Sequence, residues 1–468
     1  MVVNSYQFWF FFAAVLLPYY TVLRKSGRGQ NVWLLLASYF FYGFANWKSL
    51  PLLVVVTAVY YLLGIGIEKH TGRNPGKARL LMVTGLVLGI GILFYFKYLG
   101  ALFPDASPIL NVVGISFFTF KLLSYVLETY FGKIPAARNP VDFATYVAFF
   151  PTILSGPIDR PGEFIPQLEK ERPANWDGIA EGFRRVVWGL FLKLCIADRI
   201  KAYPDAVFGN VGYHNTTSII LAAILYAIEM YADFAGYSEM AIGVGRIMGF
   251  KVRENFFRPF FAQNVSEYWR RWHMSLTSWI TDYVYTPLNV AFRNWGKWGL
   301  YLATCINVIL IGIWHGAQWG FLLFGIWHSI FLVLAAASEK KRKKFEKKHQ
   351  LKGKWYYKVP RRIITFVIVA CGLVIFRMAK FTDLTAIVAQ CGKGFGPIFT
   401  NGLLEIGSLG LLSILLLFFK EMKDENGWNI HFLHAERTWV RLASMAILFA
   451  YVIFAGELNG SSFIYFQF

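Results

Sequence analysis

Two histidines stand where this chain could do chemistry. His273 lies in EYWRRWHMS and His315 in INVILIGIWHGAQWG, both in company that is otherwise aromatic and apolar. An ionisable side chain at membrane depth is expensive, so it is a functional hypothesis by default. A neutral imidazole in such surroundings can take a proton from a hydroxyl, the work of a general base. Beside His315, Gly316 and Gly320 remove side-chain bulk, so a substrate or another helix can come close. Trp314 and Trp319 flank it, and the spacing predicts Trp319 on nearly the same helical face. Trp269 and His273 are also four apart and share a face if their segment is one helix, with Trp272 next to them. Arg270 and Arg271 then point elsewhere, toward phosphate or lipid headgroups. The competing reading is structural: a histidine bonded to a neighbouring helix, or an interfacial aromatic helix whose arginines snorkel.

Other polar residues extend the candidate set. Asp282 follows His273 along the same segment. Asp233 in MYADFAGYSEM is an acid among aromatics, and its ionised form requires a hydrogen-bonding or cationic partner. Arg270 and Arg271 are candidates for that partner. His328 follows His315 by thirteen residues, a rotation of roughly 220° on a continuous helix, and reads as a packing histidine. A zinc site built from His273, His315 and His328 lacks any short ligand spacing. Cys195, Cys305, Cys371 and Cys391 show no CxxC pattern and read as small hydrophobes.

The elements that must hold these residues are membrane helices. Of the 468 residues, 56% are hydrophobic and only 16% charged, below the ~25% of soluble domains. Apolar segments fall near 6–23, 31–47, 50–67, 79–98, 109–131, 143–156, 183–197, 217–231, 298–314, 316–337, 363–379, 405–419 and 439–456. Some are short or interrupted, which predicts about eleven to thirteen spanning helices plus re-entrant or interfacial pieces. The first reads as a retained helix, since its leader MVVNSYQ has no basic residue and no cleavage site follows.

The net charge of +20 is concentrated, and no nucleic-acid motif accompanies it. Residues 338–362 hold twelve Lys or Arg against two Glu, the pattern of a cytoplasmic loop near anionic lipid or an acidic partner. With the basic loops RKSGRGQ and EKHTGRNPGKAR, the positive-inside rule places the N-terminus outside. Counting spans from there puts the C-terminus outside as well.

The centre of the chain is irregular. FFPTILSGPIDRPGEFIPQLEK contains four prolines and cannot be a plain spanning helix. Such backbone survives at membrane depth only where protein buries it or where it lines a watery cavity. YADFAGYSEMAIGVGRIMGF, with Asp233 and Glu239 in a Gly-rich helical run, repeats the theme. No internal repeat is visible, and one domain, 1–468, is the economical reading.

Several long motifs occur in an order that resembles the membrane-bound O-acyltransferase (MBOAT) family, in its alginate O-acetylase branch. They are ISFFTFKLLSYVLETY, FFPTILSGPIDRPGEFIPQL, YADFAGYSEMAIGVGRIMGF, ENFFRPFFAQNVSEYWRRWHMSLTSWITDYVYTPL, INVILIGIWHGAQWGFLLFGIWHSI and VIFRMAKFTDLTAIVAQ. They cover about 114–390, the expected catalytic core. The family's DYLYIPLGG reads DYVYTPLNV here, so its Gly-Gly turn is absent. The resemblance implies an all-α polytopic fold around a central tunnel, with His315 catalytic and His273 assisting. Trp272, Arg271, Asp282, Asp233 and Trp314 are then candidates for the tunnel wall.

The resemblance further implies a multi-pass enzyme of the bacterial inner membrane with no bound cofactor and no metal. Acetyl-CoA is the expected donor. The acceptor is a cell-surface polysaccharide, reached through an extracytoplasmic acetyltransferase partner. Two alternatives stay open: D-alanyl transfer from a carrier protein toward teichoic acid, and a transporter or flippase. The last would be expected to show inverted repeats.

Overall fold

The computed structural model describes residues 2–103, 112–431, 433, 435–457 and 463. The start of the expected 109–131 span and the C-terminal end whose side was expected lie outside them. The described residues are helices and irregular connections, without a strand. The chain sorts into two compact units, Met1–Gly189 with Tyr237–Arg253 and Leu190–Gly236 with Glu254–Ile464, a few terminal residues apart.

The first unit contains α1 (Tyr6–Tyr20), α2 (Gly27–Asn46), α3 (Leu50–His70), α4 (Pro75–Lys97), α5 (Ile115–Tyr130), α6 (Pro140–Ala148), α7 (Pro161–Leu168) and α8 (Trp176–Leu190). Their starts follow from local chemistry. Ser26, Asn74 and Asn139 accept from the Gly29, Lys77 and Val141 amides, and Pro75 and Pro140 fill first-turn positions that need no amide donor.

The proline-rich stretch from Phe149 to Arg160 is non-helical and buried, as its composition predicts. Side chains supply the partners that helix geometry would otherwise provide. The Phe150 N–H donates to Ser38 Oγ at 3.2 Å and the Asp159 carbonyl accepts from the Tyr146 hydroxyl at 3.1 Å, while Lys121 Nζ donates to Tyr146 O at 3.1 Å and Thr152 Oγ1 at 2.9 Å. Asp159 Oδ1 accepts from the Arg253 amide at 3.2 Å. Buried Arg172 ties this unit together. It donates to the Tyr19 hydroxyl at 2.7 Å, to Gln167 O at 2.8 Å and to Asn31, whose amide reaches Asp142 at 2.6 Å.

The second unit contains α9 (Ala202–Gly209), α10 (Thr216–Ile247), α11 (Val265–Trp269), α12 (Met274–Ile280), α13 (Thr286–Ala291), α14 (Lys297–His315) and α15 (Trp319–Lys348). It continues with α16 (Trp355–Arg377), α17 (Phe381–Cys391), α18 (Thr400–Asn426) and α19 (Thr438–Ala455). The residues of α10 from Tyr237 onward belong to the first unit.

Two expectations change here. The Gly-rich run within 231–250 is helical as expected, but it belongs to an unbroken helix, α10, of 32 residues and does not share the irregularity of the proline-rich stretch. Within the first unit, a Cβ on Gly243 would stand 2.5 Å from Gly182 O, so these glycines allow backbones to touch. Glu239 there is paired with Arg185 at 3.2 Å. The basic block 338–362 is not a loop either. α15 continues to Lys348 and α16 starts at Trp355, because Lys, Arg and Glu are strong helix formers. Arg361 closes the turn on Glu346 at 2.6 Å.

Seven helical segments among the described residues are long and apolar enough to cross a bilayer. They are Gly27–His70 (which contains α2 and α3), Pro75–Lys97, Thr216–Ile247, Lys297–His315, Trp319–Lys348, Trp355–Arg377 and Thr438–Ala455. Other members of the expected set are shorter, α1 at 15 residues and α5 at 16. The protein is an all-α, multi-pass membrane protein.

Gly320 decides one contact that matters for the site. A Cβ there would lie 2.1 Å from Met378 O and 2.5 Å from Ile375 O, at the end of α16. The space beside the WHG motif therefore admits another helix. Gly320→Ala should overpack this contact and cost about 1–3 kcal/mol. Thermal unfolding in detergent should show a lowered midpoint, while Gly91→Ala, with open space around the new Cβ, should not.

Candidate active site

His273 does not lie within a helix. α11 ends at Trp269, and His273 begins α12 in the left-handed region, at φ 44° and ψ 51°. Trp269 and His273 therefore do not share a face of one continuous helix. Trp269 turns instead to His328, its indole N–H donating to Nδ1 at 3.3 Å. His328 is fully buried beside Phe324, a packing histidine as expected, although the helix break after His315 removes the continuous phase behind that expectation.

The His273 ring is 1% exposed and held on one side by Asn255. Nδ1 stands 3.1 Å from Asn255 Oδ1. That oxygen also accepts from the Ser275 amide at 3.2 Å and hydroxyl at 2.8 Å. An amide N–H can only donate, so the Asn255 atom is the carbonyl oxygen and Nδ1 must carry the proton. Nε2 is then the basic nitrogen. His273 lies outside the candidate spans, and burial pushes its pKa down to about 3, so the ring is neutral.

His315 is the last residue of α14 and is 6% exposed. Gly316, at φ 159° and ψ −175°, ends the helix, and α15 begins only at Trp319. The expected shared face of His315 and Trp319 is thus lost, and Trp319 is exposed. Phe376 takes its place, meeting the imidazole edge-on at 4.8 Å, with Phe321 at 5.9 Å. Trp314 joins the two histidines. Its ring lies 4.8 Å from His315 and 6.1 Å from His273, and Phe234 closes the other side of His273 at 4.7 Å. Two imidazoles and an indole form one buried group.

The remaining candidates divide. Trp272 is buried and stacks on Tyr268 at 5.4 Å, in the wall behind His273. Arg271 is directed inward, not at headgroups: it pairs with Glu267 at 2.6 Å and Glu425 at 2.9 Å. Its neighbour Arg270 is exposed. Asp282 is exposed in a π-helical turn, Thr281–Tyr285.

Asp233 is buried and paired, but with neither arginine. Lys193 Nζ lies 2.7 Å from Asp233 and 2.8 Å from Asp198, all three about 2% exposed or less. Lys193 sits in a π-helix, Phe191–Ala197, where helical phase no longer reports which residues face inward. Periodicity therefore missed it. The FLKLCIAD pattern of a lysine inside an apolar run was the signal available.

A cavity of about 430 Å³ opens in this unit at the C-terminal end of α16. Asn210, Tyr213, Arg377 and Asp383 contribute to its lining. Arg377 pairs there with Asp205 at 2.6 Å, one residue beyond the Phe376 that touches His315.

A multi-pass helical protein with buried imidazoles gathered in its interior has the makings of a membrane-embedded transfer enzyme. Comparison of sequences gives the family. Residues 137–376 match MBOAT, the membrane-bound O-acyltransferase family, and the chain belongs to it. It is 32% identical to a probable alginate O-acetylase of Pseudomonas aeruginosa over 440 residues, 90% of this chain and 81% of that one. A peptidoglycan O-acetyltransferase of Helicobacter pylori is 31% identical over 382 residues, 73% of this chain and 72% of its own. A teichoic acid D-alanyltransferase of Bacillus subtilis is 30% identical over 288 residues, 59% and 72%. The protein is an O-acyltransferase.

Lys193 offers a check on the buried charges. Removing one member of such a cluster strands the others and costs about 3–5 kcal/mol. Lys193→Met should therefore lower the detergent melting midpoint sharply, and Lys193→Met with Asp233→Asn should recover part of that loss.

Proposed function

We propose that this acyltransferase moves an acetyl group from cytoplasmic acetyl-CoA through the membrane for O-acetylation of a cell-surface polysaccharide. His315 is the general base on the acceptor hydroxyl, or a covalent relay. His273 assists it, and the whole chain acts as one catalytic domain. The observation that carries this reading is the packing of both imidazoles on the Trp314 ring. In the direct route His315 removes the acceptor's proton and the oxygen attacks the thioester carbonyl. The C–O bond forms, the C–S bond breaks, and the proton leaves on the CoA thiol. His273, held by Asn255, presents Nε2 as a second proton acceptor.

The acidic donor favours the side of the basic block at 338–362, which the positive-inside rule assigns to the cytoplasm. The cavity beside Arg377 is at the other end of α16, the side proposed for the acceptor and for an extracytoplasmic partner protein. The host membrane is then the bacterial inner membrane, with both termini outside. The alginate and peptidoglycan O-acetylating relatives support acetyl as the group and a glycan as its destination.

A second reading, D-alanyl transfer from an acidic carrier protein, is favoured by the same basic helix and by the Bacillus relative. Membranes supplied with acetyl-labelled acetyl-CoA or with a D-alanyl carrier protein separate the two. We expect label transfer from acetyl-CoA alone. His315→Ala should reduce it about 10²–10⁴-fold with the protein still inserted and monodisperse. Full activity in that variant would remove His315 from the reaction.

A further inference from the structure

Helix α18 carries two carboxylates four residues apart, Glu421 and Glu425, and both reach the backbone and rings that hold His273. Glu421 is buried and accepts from the Tyr231 hydroxyl. The Tyr231 ring packs edge-on against Phe256 at 5.7 Å and Phe260 at 5.2 Å, and tilts against Trp272 at 6.2 Å. Glu425 gathers three guanidinium groups: Arg271 at 2.9 Å, Arg258 at 3.2 Å and Arg362 at 3.5 Å. All four side chains are between 12% and 18% exposed, well removed from the screening that makes surface pairs weak.

The backbone under this cluster is strained. Arg258 and His273 are left-handed, at φ 49° and φ 44°; the other such non-glycine residue among those described, Gln350, is in a turn. Each such conformation costs about 1–3 kcal/mol and persists only where its surroundings hold it. Two hydrogen bonds join the strained segments, Phe257 N–H to Arg271 O at 2.9 Å and Met274 N–H to Asn255 O at 2.8 Å. Arg258 and Arg271 thus lie on the two facing segments, and one carboxylate binds both.

We infer that α18 is a clamp on the active-site backbone and that Glu425 is a positioning residue. Acting through Arg258 and Arg271, it keeps Asn255 against His273. Without its charge three guanidinium groups crowd around a neutral side chain, and the segments part. Glu425 lies beyond the 137–376 stretch that matches the family. The proposal rests on the reading that gives His273 a part in acyl transfer.

Glu425→Gln, in the full-length protein, keeps the shape of the side chain and removes its charge. Hydrogen–deuterium exchange in detergent should accelerate at least about tenfold at the Phe257 and Met274 amides and stay unchanged in the other helices. Transfer from labelled acetyl-CoA in membranes should lose at least about tenfold in kcat with KM for acetyl-CoA within about twofold. Glu425→Asp should restore most of both. Unchanged exchange at those two amides overturns the clamp. So does a uniform rise in exchange across the chain, which marks a merely structural carboxylate. His273→Ala measured alongside keeps the two ideas apart: full transfer in that variant removes His273 from the chemistry, while the exchange result judges the clamp independently.

Discussion

One oxygen atom, Asn255 Oδ1, receives the His273 ring, the Ser275 amide and the Ser275 hydroxyl. It selects the His273 tautomer, and it satisfies an amide at the start of α12, where no carbonyl of the helix can. It also fixes the ring against Phe234 and Trp314. A water-filled site could replace such a contact cheaply. A buried one cannot, because each lost partner costs the full desolvation of the group left behind. The left-handed turn at His273 is tolerable because these bonds over-determine it.

The charges nearby follow the same rule. Lys193 faces both Asp233 and Asp198, so the buried lysine is compensated twice. The group therefore anchors α10 to the π-helix. A buried ion pair is weak evidence for stability, but it does dictate register, since a slip of either helix would strand a charge. The residues from Tyr226 to Asp233 on α10 then have one rotational setting. Phe234, which closes one side of His273, inherits it.

Much of this was legible beforehand where the physics is local and periodic. The membrane character, the helical class and the irregular proline-rich stretch all follow from runs of apolar residues and from proline. The two histidines were found because ionisable residues are rare in such surroundings. Their partners were not. Asn255 lies 18 residues from His273 and Phe376 lies 61 from His315, and no periodicity connects residues across a chain reversal. Lys193 was hidden by the π-helix, and Glu425 by its distance along the chain. The inferred pairings of Trp269 with His273 and of His315 with Trp319 failed for one reason: both assumed that the helix continues.

That failure says something about why the site is where it is. His315 is the last residue of α14, and His273 stands at the first turn of α12. A helix interior uses its backbone groups on itself, and only its side chains can face a reactant. At a helix end the chain can change direction, so residues from several segments converge on a small volume. In a membrane this convergence is permitted only if protein covers the exposed backbone. Here aromatic rings supply the cover. Trp314, Phe234, Phe321 and Phe376 pack against the two imidazoles. Gly320 completes the arrangement by allowing the end of α16 to approach closely enough for Phe376 to meet His315. The abundance of aromatic residues in this chain is thus more than membrane composition. At the ends of these helices it is what holds two buried imidazoles in place.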